Sequence, residues 1–263
     1  MVESGKPIDA AVADTEQGSA LHTTNFEIID GRSIAFRHLA GSGPAIVFLP
    51  GYMSDMAGGK ATAIFDWCSA TGRECLLLDY SGCGESDGDF ADGTLGRWAD
   101  EVQVLVATHV TSERIVLVGS SMGGWLMLIL AQRVASRVSG LVGIASAPDF
   151  TEWGYDKSQK ARLSAGETVY EESDYGYDPM PTHPGFWRDG QDRRYLDGEI
   201  AIDCPVRLLH GVEDTDVPPE ISLRLAGTLR SLDVQVTLVK GGDHRLSRDG
   251  DIALLLRTVA SLH

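Results

Sequence analysis

The hydrophobic positions change period along the chain, and the changes mark out its elements. Phe26 and Ile28 alternate with Glu27, and Ile34 and Phe36 alternate with Ala35 and Arg37. With Asp30-Gly31 between them and only Ile29 off the period of two, these runs predict a β-hairpin. Residues 45–49 form a continuous apolar run ending in Pro50-Gly51, the pattern of a short strand buried on both faces. Further strands are predicted at 74–80, 114–119, 138–145, 206–210 and 234–239. Between them the spacing lengthens to that of helices at 58–70, 95–109, 122–134, 219–229 and 249–262. In 95–109, Leu95, Trp98, Val102, Leu105 and Val106 share one face.

Strands that alternate with helices call for βαβ units, so the predicted class is α/β, a mostly parallel sheet with helices on both faces. The rhythm stops at Asp149. Residues 149–203 are rich in Glu, Asp, Tyr, Pro and Gly, with Pro179, Pro181 and Pro184 close together. A structureless connection of that length does not suit a compact domain, so 149–203 is expected to form a small cap insertion. Residues 19–148 and 204–263 then make the core, and 1–18 a loose polar tail. A chain of 263 residues has room for one domain and such an insertion.

Composition narrows the partners. The 43% hydrophobic share is that of a globular protein with a sizeable core. The longest apolar stretch, 125–131, falls far short of the ~20 residues of a membrane span, so no membrane partner is expected. A formal charge of -16 argues against nucleic acid and anionic lipid surfaces, both of which need a basic footprint. Cys68, Cys75, Cys83 and Cys204 have no metal-type spacing and are expected to be free thiols in a reducing compartment. The stretch 1–18 has neither an apolar signal core nor an arginine-rich transit pattern, so the expected location is cytoplasmic. Oligomeric state is not legible.

The chemistry concentrates at Gly119-Ser120-Ser121-Met122-Gly123, a Gly-x-Ser-x-Gly match between a predicted strand and a predicted helix. A serine there must sit on a strained turn with its hydroxyl projecting from the sheet, and its flanks must be small. Ser121 fills the central slot, which its rival Ser120 does not. A serine needs a base, and the base needs an acid to hold its tautomer; in an elbow of this kind the chain order is serine, acid, histidine. His244 is best placed, in the glycine-rich loop Gly241-Gly242-Asp243-His244-Arg245 after the last strand. His210 ends the preceding strand, a position that serves packing and hydrogen bonding. His22, His38 and His109 precede the serine, His183 belongs to the cap, and His263 ends the chain. Asp214 is the acid candidate, in the turn after the 206–210 strand. Glu213 and Asp216 are its neighbours, and Asp149 is the weaker alternative. The peptide N–H groups of Met122 and Tyr52 are the candidate oxyanion donors, the second from the turn that Gly51 tightens.

These motifs resemble the α/β-hydrolase superfamily over nearly the whole chain. Within it they resemble the group of mitochondrial palmitoyl-protein thioesterases and mycophenolic acid acyl-glucuronide esterases. The likeness rests on Leu49-Pro50-Gly51-Tyr52-Met53-Ser54, Asp79-Tyr80-Ser81-Gly82-Cys83-Gly84, Ser86-Asp87-Gly88 and Thr94-Leu95-Gly96-Arg97-Trp98. It continues through Val118 to Leu128 around the serine, through Cys204-Pro205-Val206-Arg207-Leu208-Leu209-His210-Gly211, and through Asp243-His244-Arg245. The resemblance implies an α/β-hydrolase fold and hydrolysis of esters and S-acyl thioesters without a cofactor. It carries the family's catalytic residues onto Ser121, Asp214 and His244. The likeness thins across 149–203, where substrate choice is expected to reside. No presequence like that of the mitochondrial group is expected in residues 1–18, and the expectation is either a bacterial relative or a chain trimmed of its presequence.

The functional expectation is a carboxylesterase that also takes small-molecule acyl thioesters through an acyl-enzyme on Ser121. Met53, Trp153, Phe186 and Trp187 are the candidate pocket walls. Two alternatives remain: another serine-triad hydrolase, cutting peptide or carbon–carbon bonds, and a ligand-binding module without turnover. No metal is expected, because no His/Cys cluster has ligand spacing. The glycine-rich 81–88 loop also lacks the lysine of a phosphate loop.

Overall fold

The computed structural model describes residues 23–171 and 179–262. The expected tail 1–18, His22, His263 and part of the cap insertion lie outside the described residues. The hairpin forms from β1 (Asn25–Ile29) and β2 (Arg32–Leu39). Asp30 and Gly31 both take positive φ, 49° and 77°, as a two-residue hairpin turn requires. Which side chains the hairpin buries differs from the alternation in the sequence. Phe26 and Ile28 are 53% and 67% exposed, whereas Ile29 is buried with Ile34 and Phe36. The physical reason is that β1 is an edge strand covered on one face only. On the covered face Glu27 meets His109 at 3.0 Å.

The remaining strands are β3 (Ser42–Leu49), β4 (Arg73–Leu78), β5 (Ile115–Ser120), β6 (Val138–Ile144), the short pair β7 (Val169–Glu171) and β8 (Met180–Thr182), then β9 (Val206–Gly211) and β10 (Val234–Val239). The main sheet runs β1-β2-β4-β3-β5-β6-β9-β10. Strands β4 through β10 of that order are parallel, and β2 is antiparallel to β4. The helices are α1 (Gly59–Thr71), α2 (Leu95–His109), α3 (Met122–Arg133), α4 (Phe150–Trp153), α5 (Lys157–Ser164), α6 (Pro184–Gln191), α7 (Pro219–Thr228) and α8 (Asp249–Ala260).

The continuous apolar runs are explained by two cores, one on each face. In β3, Ala45, Val47 and Leu49 enter one core with α2, α3 and α7; Ile46 and Phe48 enter the other with α1 and α8. Strand β5 divides in the same way, Ile115 and Leu117 against Val116 and Val118. Helix α3 is buried from Met122 through Ala131, so its all-round apolarity reflects a core position and not a membrane segment. Among the described residues no helix is long and apolar enough to cross a membrane.

From β3 the chain moves outward to β4, then returns past β3 to β5 and continues the other way. The order therefore reverses between β3 and β5, and the crevice at their carboxyl ends is where open α/β sheets place function. Over that crevice lie α4, α5, β7, β8 and α6. Tyr155, Leu163 and Val169 give this region a small core of its own. The Asp149 carboxylate ties its two ends together, accepting the N–H of Tyr195 at 2.9 Å and of Leu196 at 2.7 Å. On the sheet side, the indole N–H of Trp125 donates to the Arg193 carbonyl at 3.1 Å.

Candidate active site

Ser121 stands between β5 and α3 with φ 53° and ψ -120°, a conformation few side-chain-bearing residues adopt. Its backbone is held on both sides: its N–H donates to Ile144 C=O at 2.9 Å, and its carbonyl accepts from Gly124 and Ala147. The flanking glycines are sterically required. A Cβ on Gly119 would run into the Gly123 carbonyl, and one on Gly123 would run into the carbonyls of Leu49 and Pro50. The turn is thus pressed between the end of β3 and the end of β6, and Ser121 is partly exposed between the buried Ser120 and Met122. Ser120 closes β5 and is buried.

His244 comes from the loop before α8, and its Nε2 lies 3.1 Å from Ser121 Oγ. Its Nδ1 lies 2.9 Å from Asp214 Oδ2, in the turn after β9. The other oxygen, Asp214 Oδ1, accepts the N–H of Asp216 at 2.9 Å and of Val217 at 2.8 Å. Burial favours the neutral form of Asp214. Hydrogen bonds from His210 and His244 and the backbone N–H of Val217 outweigh burial and hold the carboxyl well below the usual range. An ionised Asp214 only accepts, so His244 Nδ1 carries the proton and Nε2 is left to accept the Ser121 hydroxyl. The alternative acid is directed elsewhere, since Asp149 is occupied by Tyr195 and Leu196. Glu213 is exposed. Of the remaining described histidines, His38 meets Glu74, His109 meets Glu27 and His183 meets Thr168.

The loop after β3 lies directly against the serine. A Cβ built on Gly51 would stand 3.4 Å from the Cβ of Ser121, so Tyr52 begins beside the hydroxyl. Met122 opens α3, where a first-turn N–H has no partner within the helix. The Tyr52 ring reaches away into the cap. It packs against Phe90 and Phe186 at 4.9 Å each, and its hydroxyl donates to Pro181 C=O at 2.9 Å. Burial, and then the neighbouring Tyr155, push that phenol above its ordinary range, so it stays a neutral donor.

Met53 has φ 53° and is 49% exposed; with Asp55, Cys83 and Phe90 it lines a cavity of about 170 Å³. The thiol of Cys83 is pushed up to about 12 by burial and then by Asp79 and Glu101, so it is held protonated. Phe186 is buried behind Tyr52, against Trp98 and Phe150. Trp153 is half-buried, its indole donating to Pro148 C=O at 2.7 Å. Trp187 packs on the small core of the cap and donates to Thr151 C=O.

Two contributors, Lys60 and Asp79, carry little sequence signal because they are distant in the chain from the serine and histidine loops. Lys60 on α1 donates to the carbonyl of Arg245 and so holds the loop of His244. Asp79 receives the N–H of Met56 and of Glu85, binding the loops after β3 and β4 together. His210, four residues from Asp214, touches the Asp214 carboxylate. Donor atoms of Asp214, Asp216 and His244 lie within 4.8 Å of one another, the spacing of a cation site. Two of the three, however, are hydrogen-bonded to each other, and the free nitrogen of His244 faces Ser121.

A strained serine between two close-packed glycines, at the switch point of a parallel sheet, defines the chain's class. The family model described as alpha/beta hydrolase fold matches residues 44–167. The chain belongs to the α/β-hydrolase family. It is 39% identical over 236 residues to the mouse protein named palmitoyl-protein thioesterase ABHD10, mitochondrial, a match that spans 88% of this chain and 78% of the relative. Among solved structures it is similar to a protein described as a hydrolase from Agrobacterium vitis S4, with TM-score 0.84 and 37% identity over 92% of this chain and 99% of that one. The structure of mouse alpha/beta hydrolase domain-containing protein 10 matches with TM-score 0.83 and 36% identity, over 91% of this chain and 98% of that one.

Proposed function

We propose that this protein is a serine hydrolase of acyl esters and acyl thioesters, with Ser121 as nucleophile. The observation that carries the reading is the hydrogen-bonded chain from Ser121 through His244 to Asp214, mounted on a strained turn. His244 takes the proton of Ser121 as its oxygen attacks the acyl carbon, and Asp214 stabilises the imidazolium that results. The N–H groups of Tyr52 and Met122 receive the oxyanion. Collapse of the tetrahedral adduct breaks the bond to the alcohol or thiol, to which His244 returns its proton. Water, activated in turn by His244, then releases the acid from Ser121.

The cap, residues 149–203, is the specificity element of this proposal. Met53, from the loop after β3, and Trp153, from the cap, are the acyl-contacting walls, while Phe186 and Trp187 hold the wall in place from behind. The thioester part of the reading is supported by a relative named for palmitoyl-protein thioesterase activity. The four cysteines are unpaired, which suits the reducing compartment that a cytoplasmic protein occupies. The strongly acidic chain, with -16 formal charges, fits a small-molecule substrate better than a nucleic acid.

The test is a comparison of kcat/KM for a p-nitrophenyl acyl ester, an acyl thioester and a peptide anilide. Ester and thioester are expected to exceed the anilide by at least about a hundredfold, roughly 2.7 kcal/mol of barrier. Anilide cleavage faster than ester cleavage would overturn the reading in favour of a peptidase.

A further inference from the structure

The carboxylate of Asp214 is touched by two histidines. His210 is the penultimate residue of β9 and is fully buried. Its Nε2 lies 2.9 Å from the carbonyl of Val217 and 3.1 Å from Asp214 Oδ2, and its Nδ1 lies 2.7 Å from Ser222 Oγ on α7. A peptide carbonyl only accepts, so Nε2 carries the proton and shares it between Val217 and the carboxylate. Nδ1 then accepts the Ser222 hydroxyl, and a neutral ring is satisfied at both nitrogens.

The groups around the pair are few. Asp216 and His244 approach Asp214 from the loops after β9 and β10. Helix α7 contributes Ser222, and β10 places the apolar Leu238 beside His210. On the other side β6 ends at Ile144 and is followed by Ala145, neither titratable. Both oxygens of Asp214 are therefore held, Oδ2 by His244 and His210 and Oδ1 by two backbone N–H groups.

We propose that His210 is a positioning residue for the acid: its Nε2–H holds Oδ2 of Asp214 at bonding distance from His244 and draws charge from it. The inference rests on the triad reading given above. Two effects follow from one bond. The carboxylate cannot rotate away from His244, and it is a weaker acceptor for the His244 imidazolium than a carboxylate with one histidine on it. Removing the His210 donor strengthens the pull on the imidazolium, so the neutral imidazole needed for attack is lost at a higher pH.

The test separates the two nitrogens. In His210→Asn the side-chain amide reaches the Nδ1 position and keeps Ser222, but it leaves Asp214 without its second donor. In His210→Gln the amide reaches the Nε2 position and keeps that donor. His210→Asn is expected to lower kcat by about 10- to 100-fold with KM within about twofold, and to move the acid limb of kcat/KM up by about half to one pH unit. His210→Gln is expected to restore the limb and most of kcat. Equal losses in both variants with an unmoved limb would overturn the proposal and leave His210 a packing residue. If the variants do not fold, ¹H–¹⁵N spectra of the wild-type imidazoles decide. A neutral His210 ring protonated at Nε2 supports the proposal, and one protonated at Nδ1 contradicts it. His244→Gln runs beside them: turnover retained there would sink the triad reading itself, a different outcome from equal losses at position 210.

Discussion

Ser121→Gly is expected to abolish turnover and to raise the melting temperature at the same time. Both effects come from one residue with two conflicting duties. In the proposed function its Oγ is the atom that bonds the acyl group, and its loss is expected to lower kcat by about 10⁴- to 10⁶-fold. As a residue at φ 53° and ψ -120° it carries backbone strain of roughly 1–3 kcal/mol. Glycine relieves that strain and adds about 0.5–1 kcal/mol of entropy cost in the unfolded chain. The net stabilisation is about 1 kcal/mol, or roughly 2–4 °C in Tm for a chain of this size. Ser121→Ala provides the contrast, because it removes the oxygen but keeps the strain. Its turnover is expected to be as low and its Tm close to that of the wild type. A glycine variant that melts below the alanine variant would mean that the turn is not strained.

The second large effect is expected at Gly123, where the fold and the site depend on the same absent atom. A Cβ there meets the carbonyls of Leu49 and Pro50, backbone atoms at the end of β3 that cannot swing aside. Gly123→Ala must push α3 away from β3, separating Ser121 from the Tyr52 loop that the two share. The cost is about 3–5 kcal/mol, in the range of a severe overpacking at a buried backbone contact, with activity reduced in the protein that still folds. Gly185→Ala is the control. That glycine lies exposed in α6, and a Cβ on it meets nothing within 4 Å. Alanine there is expected to be neutral or to stabilise by about 0.5–1 kcal/mol. Thermal melts of the two variants decide; equal behaviour would contradict the close-packed elbow.

These variants also mark how far the sequence speaks. The inner parallel strands are legible because they are buried on both faces, which turns a strand into an unbroken apolar run such as Ile46, Val47 and Phe48. The serine turn is legible because its steric demand is local: Gly119 and Gly123 lie within two residues of Ser121. Asp214 and His244 can be grouped with it because each follows the carboxyl end of a strand, and the sheet brings those ends together.

What the sequence hides depends on packing between distant segments. Phe26 and Ile28 look like a core face, and only the edge position of β1 makes them exposed. Lys60 stands 185 residues from the carbonyl it holds, and Tyr52 stands 129 residues from Pro181. Neither residue type signals such a bond. His210 is a borderline case: its place near the end of β9 marks it as a hydrogen-bonding residue, but its contact with Asp214 appears only once the turn after β9 folds back on the ring. The cap is the least legible region, because its elements are short and its apolar residues serve its own small core, the aromatic cluster around Tyr52 and the proposed acyl wall together.

The central claim is that Ser121 is the nucleophile, made reactive by His244. Incubation with a fluorophosphonate, followed by peptide mass spectrometry, reads that directly. One phosphonyl group per chain is expected, located on Ser121, absent in Ser121→Ala and formed at least about a thousandfold more slowly in His244→Ala. Adduct formation on Ser120 or another residue, or a folded wild-type protein that takes up no label, would contradict it.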